Sequence, residues 1–273
     1  MIELNKIYNE SNCDTMSRMP DNFVDLTVTS PPYDNLRLYE GYEWDFERVA
    51  QELFRVTKPG GVVVWVVNDQ TIDGSESLTS CKQKIYFREN CGFNIHDTMI
   101  YRKKNFIPLT HNRYEQEFEY AIVLSKGKPK TFNPIMVDNL LGGKNISRSS
   151  TYENHALRGR KFKQPILSSK IKGNIWEYNC GTNCSTKDEI AFAHPAIFPE
   201  RLAQDHIISW SNEREIIYDP FMGSGTVAKM CIATNRNYVG SEISKKYCDI
   251  AERRLQPYKS NIDMFYEQAK NTA

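Results

Sequence analysis

Two stretches carry residue types from which a ligand site could be built. Residues 29–35 read TSPPYDN. Pro31 and Pro32 lack amide donors and fix their own backbone torsions, and Ser30 is pushed into an extended conformation by the proline after it. The product is a stiff loop with a small polar group at its start and the aromatic Tyr33 beyond. An ordinary turn is the plainer alternative, since proline pairs are common turn formers. The second stretch, residues 215–244, reads EIIYDPFMGSGTVAKMCIATNRNYVGSEIS. Gly223 and Gly225 let backbone approach a ligand closely, and Glu242, 23 residues after Asp219, is placed to accept both hydroxyls of a ribose. The loop is neither GxGxxG nor GxxxxGK[ST], so a nucleoside without phosphates suits it better than a pyrophosphate.

Strands must position both loops. Residues 23–28 alternate apolar and polar and end on β-branched residues, as a half-buried strand does. TSPPY therefore sits at a strand's carboxyl end, where open α/β sheets bind ligands. In the second stretch, Ile216–Tyr218 reads as a strand, 219–225 as a glycine-bearing loop, 226–234 as a helix and 238–241 as another strand. Elsewhere a short strand is expected near Ile7 and a turn or helix around residues 14–19. Apolar positions 46, 49, 50, 53, 54 and 56 give an amphipathic helix over 45–56. Lys58, Pro59, Gly60 and Gly61 are expected to end it before VVVWVV at 62–67, a run apolar on both faces that suits a buried parallel strand. A helix within 76–90, strands near 94–101 and 118–124, and a helix from Pro199 through Ile208 complete a strand–helix alternation. That alternation predicts a mostly parallel sheet.

The 273 residues, 40% hydrophobic and 25% charged, allow one large α/β domain with an insertion. No apolar run approaches the roughly 20 residues of a spanning helix, and the N-terminus lacks a secretory pattern. Seven scattered cysteines read as reduced thiols of a cytoplasmic protein. Only Cys180 and Cys184 are close, with nothing to complete a zinc site, so no metal is expected. The net charge of +1 hides an asymmetry: residues 126–173 hold eleven Lys or Arg against Asp138 and Glu153, a net +9. Such a segment points to a polyanionic partner, or else to a solvated lysine-rich loop. Phe132, Tyr152, Phe162 and Trp176 are interleaved with it, as base-stacking residues or as a small local core.

TSPPY at 29–33 followed by DPFMGSGT at 219–226 resembles the amino-methylating DNA methyltransferases, in the permuted β arrangement where the catalytic loop precedes the cofactor loop. PDNFVDLTVTSPPY (20–33), FEYAIVLSKGKPK (118–130), HPAIFPERL (194–202) and NRNYVGSEIS (235–244) resemble further family motifs in the same order. The resemblance implies a Rossmann-like methyltransferase fold with a mostly parallel seven-stranded sheet, circularly permuted. The catalytic domain would occupy 1–125 and 176–273, with a basic target-recognition segment inserted at 126–175. It implies S-adenosylmethionine as cofactor and double-stranded DNA as partner, admits a cognate restriction endonuclease and a homodimer, and needs no membrane.

Carried over by position, Ser30 and the Pro31 carbonyl hold the exocyclic amine of a flipped base, Pro32 completes the motif, and Tyr33 stacks on the base. Ser11, His194, Pro195, Asp219, Phe221, Gly223, Ser224, Gly225, Thr226 and Glu242 belong to the cofactor site. Lys144, Arg148, Arg158, Arg160, Lys161 and Lys163 belong to DNA. An aromatic amine is a poor nucleophile because its lone pair is delocalised, and acceptors at its hydrogens free that pair. Methylation at carbon 5 of cytosine would need a Pro-Cys pair, which this chain lacks. Family members with Ser at the first motif position mostly methylate cytosine N4, so Ser30 favours cytosine over adenine N6. One departure stands out: the family's YNxDC pattern reads YNESNC here, with Ser11 at the place of the Asp that binds the cofactor's adenine, and Asp14 as a substitute. A catalytically weakened DNA-binding relative and an RNA or protein-glutamine methylase are the rival readings.

Overall fold

The protein is described by a computed structural model covering residues 2–32, 44–105, 113–140, 142, 167–181 and 184–260. It forms two compact units, residues 134–173 and the remainder of the chain. The strands are β1 (Lys6–Tyr8), β2 (Val24–Thr29), β3 (Thr57–Val67), β4 (Thr71–Ile72), β5 (Ser75–Glu76), β6 (Asn94–Lys103), β7 (Phe118–Ser125), β8 (Met136–Asp138), β9 (Ser169–Ile171), β10 (Ile175–Tyr178), β11 (Ile216–Asp219) and β12 (Asn237–Ser241). The helices are α1 (Asn12–Ser17), α2 (Phe46–Val56), α3 (Thr79–Tyr86), α4 (Glu200–Trp210), α5 (Thr226–Ala233) and α6 (Lys245–Ser260).

The larger unit is built on an eight-stranded sheet in the order β1-β12-β11-β2-β3-β7-β6-β10. Every pairing is parallel except those of β7, which runs against both neighbours. The sheet thus has one strand more than the seven expected. The addition is β10, whose Trp176 is buried and stacked on His206 with ring centroids 4.7 Å apart. Trp176 is a core residue, so of the two readings offered for it the packing one holds. Phe132 packs on Trp210 at 5.1 Å while staying half exposed. Tyr152 and Phe162 lie outside the described residues. The smaller unit contains the antiparallel pair β8 and β9, with Met136 opposite Ile171.

Helix α2 shows why the sequence folds as it does. Asp45 caps it by accepting from the Arg48 amide at 3.1 Å, and Val49, Ala50, Leu53 and Val56 bury one face. Truncating Leu53 to alanine would cost about 2–5 kcal/mol, the usual range for a buried leucine. The helix ends at Val56, just ahead of Lys58–Gly61 as expected, but those residues form no separate connection. The chain turns straight into β3 at Thr57, and these residues lie within the strand, opposite a register shift between Val24 and Leu26. A bulge absorbs the irregular residues. Beyond it, residues 62–67 are wholly buried between β2 and β7. Among the described residues, no helix is long and apolar enough to cross a membrane.

Candidate active site

Because β1, β12, β11, β2 and β3 all run the same way, their carboxyl ends share one edge of the sheet. An open cleft of about 1540 Å³ lies there. The end of β2 supplies Ser30, Pro31 and Pro32, that of β11 supplies residues 219–224 and Thr226, and that of β12 supplies Glu242. Gly225, expected in the cofactor site, is not among the lining residues and instead packs against Ala251 of α6. Ser11, Asn12 and Glu10 enter from the end of β1, and His194 and Pro195 from the segment before α4. Tyr33 lies outside the described residues, as do Lys144, Arg148, Arg158, Arg160, Lys161 and Lys163.

The two motif loops are tied together. Thr29, the last residue of β2, donates its hydroxyl to Asp219 Oδ1 at 2.7 Å, and the Phe221 amide donates to the same oxygen at 3.0 Å. Asp219 is buried at the cleft wall, and desolvation pushes its carboxyl up to about 7 despite those two bonds, with nearby Glu242 adding to the rise. Trp44, outside the sequence motifs, also reaches both loops: its indole N–H donates to the Pro32 carbonyl at 3.2 Å, and its ring meets Phe221 edge-on at 4.9 Å. Nothing in a lone tryptophan ahead of a helix announces such a role.

The glycine-bearing loop is held from both sides. Glu242 Oε2 accepts from the Gly223 amide at 2.8 Å, and Oε1 accepts from Ser244 at 2.9 Å. These two amides fix the orientation of the carboxylate at the end of β12. Gly223 has φ +52°, and a Cβ there would come within 3.0 Å of the His194 ring. The loop therefore needs glycine both for its backbone and for the imidazole packed against it. His194 in turn meets Tyr247 edge-on at 4.4 Å, with Nδ1 2.7 Å from the Ala196 carbonyl. From behind, Arg254 on α6 donates to the Ser224 carbonyl at 2.9 Å, the Ser224 hydroxyl at 3.2 Å and the Thr226 hydroxyl at 3.0 Å. Ser224 and Thr226 line the cleft, yet their side chains serve this anchor. Arg254 escaped the sequence reading. Its signal is positional, one turn after Ile250 and Ala251 on the buried face of α6.

Ser11 lines the cleft, and its Oγ also caps α1 by accepting from Asp14 at 3.2 Å. Asp14 is exposed and is not among the residues lining the cleft. Counting back from Cys13 instead gives Asn12 at the Asp place of the pattern. Asn12 is buried, lines the cleft, and is oriented by its Nδ2 donating to the Pro220 carbonyl at 3.3 Å.

A family profile described as DNA methylase matches residues 24–253. The chain belongs to this N6/N4 DNA methylase family. This methylase is 54% identical over 242 residues to the orphan methyltransferase M.BamHII of Bacillus amyloliquefaciens, covering 87% of this chain and 91% of that one. It is 27% identical over 269 residues to the Type II methyltransferase M.BglII of Bacillus subtilis, covering 94% and 71%. Its fold is similar to that of the cytosine-N4-specific PvuII DNA methyltransferase, with a TM-score of 0.68 at 15% identity over 97% of this chain and 92% of that one. The M1.HpyAVI–SAM complex matches with a TM-score of 0.58 at 22% identity, over 92% and 99%. The chain is a DNA methyltransferase with the family's α/β fold.

Proposed function

We propose that this DNA methylase transfers a methyl group from S-adenosylmethionine to the exocyclic amine of a base flipped out of double-stranded DNA, and that the base is cytosine, at N4. The observation that carries the reading is the convergence of Ser30, Pro31, Asp219, Gly223 and Glu242 on one cleft, with the two loops bonded through Thr29 and Asp219.

The donor set fits the cofactor. The ends of β1, β11 and β12 bring Glu10, Asp219 and Glu242 to the cleft, and carboxylates suit a ligand bearing a sulfonium and an ammonium but no phosphate. Glu242, held by two backbone amides, is oriented to accept from ribose hydroxyls. Phe221 and Pro195 offer apolar walls, and the Asn12 carboxamide takes the place where the family carries Asp, with Ser11 beside it. When bound, S-adenosylmethionine supplies an electrophilic methyl on a positively charged sulfur.

The rest falls to this chain's own groups. Ser30 Oγ and the Pro31 carbonyl accept from the amine's two hydrogens, favouring a pyramidal nitrogen whose lone pair is free to attack. Pro31 and Pro32 hold those acceptors in place. Tyr33 stacks on the base, recovering part of the few kcal/mol that flipping costs. Cytosine is favoured because a serine oxygen is a weaker acceptor than a carboxylate. The enzyme is proposed to act in the cytoplasm, and the basic segment with Arg158, Arg160 and Lys161 to contact DNA phosphates. A homodimer and a cognate endonuclease are compatible with this reading and required by neither loop.

Calorimetry should show micromolar binding of S-adenosylmethionine or S-adenosylhomocysteine, weakened in Glu242→Ala. DNA methylated by the protein, digested to nucleosides and weighed, should contain N4-methylcytosine. N6-methyladenine alone would reassign the base, and binding of a dinucleotide with neither methyl-cycle ligand would remove the assignment altogether.

A further inference from the structure

We propose that Trp44 is a positioning residue that sets the base-binding loop and the cofactor loop against one another. The inference rests on the methyl-transfer reading above and deepens it.

Prolines at 31 and 32 have no amide hydrogens, so nothing can grip this loop through backbone donors at those positions. It is held instead through the Pro32 carbonyl. Trp44 Nε1 donates to the Pro32 carbonyl at 3.2 Å. With both proline φ angles fixed by their rings, pinning the Pro32 carbonyl also restricts the direction of the Pro31 carbonyl one residue earlier. That is the group assigned to the amine.

The other end of the same side chain sets the cofactor side. The Trp44 ring meets Phe221 at 4.9 Å with planes at 74°, in the favourable edge-to-face arrangement. Phe221 is itself pinned through its amide to Asp219. Trp44 is not free to drift. It directly precedes the α2 cap Asp45 and touches Phe46 at 6.0 Å and Trp65 at 6.1 Å. Trp65 is fully buried, with its own N–H on Gln83 Oε1 at 2.8 Å. The indole therefore transmits the position of a rigid core to both reacting partners. Methyl transfer depends steeply on the separation and alignment of donor and acceptor, which is the quantity this bridge fixes.

The two contacts separate in mutants. Trp44→Phe keeps an aromatic ring against Phe221 but removes the donor to Pro32. It should lower kcat by about five- to tenfold, the usual worth of one hydrogen bond, with S-adenosylhomocysteine affinity and Tm close to those of the parent. Trp44→Leu loses the ring as well and should add a cofactor affinity loss of about two- to tenfold. An unchanged kcat in Trp44→Phe would overturn the inference, as would equal losses of kcat and affinity in both variants. A readout that needs no substitution at Trp44 is its indole N–H resonance, assigned from its neighbours. The signal should exchange slowly and shift when S-adenosylhomocysteine is added, and fast exchange without a shift would equally overturn it. Failure of the methyl-transfer reading shows elsewhere, as absent S-adenosylhomocysteine binding by the unsubstituted protein.

Discussion

At Asp219 a single carboxyl joins two motifs and has an unusual titration. Its folded pKa of about 7 lies above the ordinary 3.8, chiefly through burial. A carboxyl raised in this way favours the folded state most below pH 4, and that contribution is lost as pH rises toward 7. Asp219→Asn keeps an oxygen for Thr29 and Phe221 but cannot ionise. Calorimetric melts should show the parent losing stability between pH 4 and 7 relative to the variant, and parallel profiles would show that the carboxyl does not titrate there. Ser30 is tested by its rate. Ser30→Ala should slow methyl transfer about two- to twelvefold, one hydrogen bond's range, while gel-shift affinity for DNA stays unchanged. Equal loss of both would make Ser30 a determinant of DNA affinity rather than a group acting on the amine during transfer. These residues were legible because proline and glycine announce their backbone and a carboxylate at a fixed spacing announces its role. Trp44 and Arg254 were not, since their partners lie far along the chain. Asn12 and Ser11 both line the cleft, and the pattern alone does not choose between them because it can be counted from either end.

Helix α6 works through what it carries beneath the glycine loop. Arg254 has no exposed side-chain surface, and it bonds Asp188 at 2.7 Å and Glu200 at 2.6 Å as well as the loop. Lys229 on α5 pairs with the same two carboxylates at 2.9 and 2.6 Å. Burial would raise the Asp188 pKa, but hydrogen bonds from Arg254, Lys229 and Tyr258 outweigh it and hold it below the usual value. Removing one member strands the others, so Arg254→Met should cost about 3–5 kcal/mol of stability in urea unfolding. Arg254→Lys should not rescue it, because an ammonium cannot span so many acceptors. A loss within 1 kcal/mol would mean that the network is dispensable. Elements were read from sequence to within a few residues wherever periodicity was strong, as in α2 and β11. The reversal of β7 was invisible, because a run such as residues 121–124, buried on both faces, has the same composition in either direction. The bulge in β3 was hidden for a related reason: Gly60 and Gly61 signal a break whether it interrupts a strand or a loop.

For the molecule as a whole, charge separates residues 126–173, at +9, from a remainder with 24 basic and 32 acidic residues. If the segment meets DNA, each phosphate it neutralises adds about −0.9 to the slope of log K against log salt. Replacing Arg158, Arg160 and Lys161 with glutamine should weaken binding to all sequences and flatten that slope by up to about 2.7. An unchanged slope would leave the segment a solvated loop. The sheet order also dictates when the enzyme comes into being. β2 pairs with β3 on one side and with β11 on the other, and the Thr29–Asp219 bond spans 190 residues. While a ribosome is still making the middle of the chain, β2 is a bare edge carrying Val24, Leu26 and Val28. β1 precedes every other strand, yet it has no place to dock until β12 emerges. The cleft walls come from β1, β2, β11 and β12, so nascent chains hold no binding site until nearly all the sheet is made. Contacts this distant in sequence also form slowly. Ligand affinity should therefore appear in the last phase of refolding, and a chaperone that shields the β2 edge should raise the yield of active enzyme more than its rate of turnover.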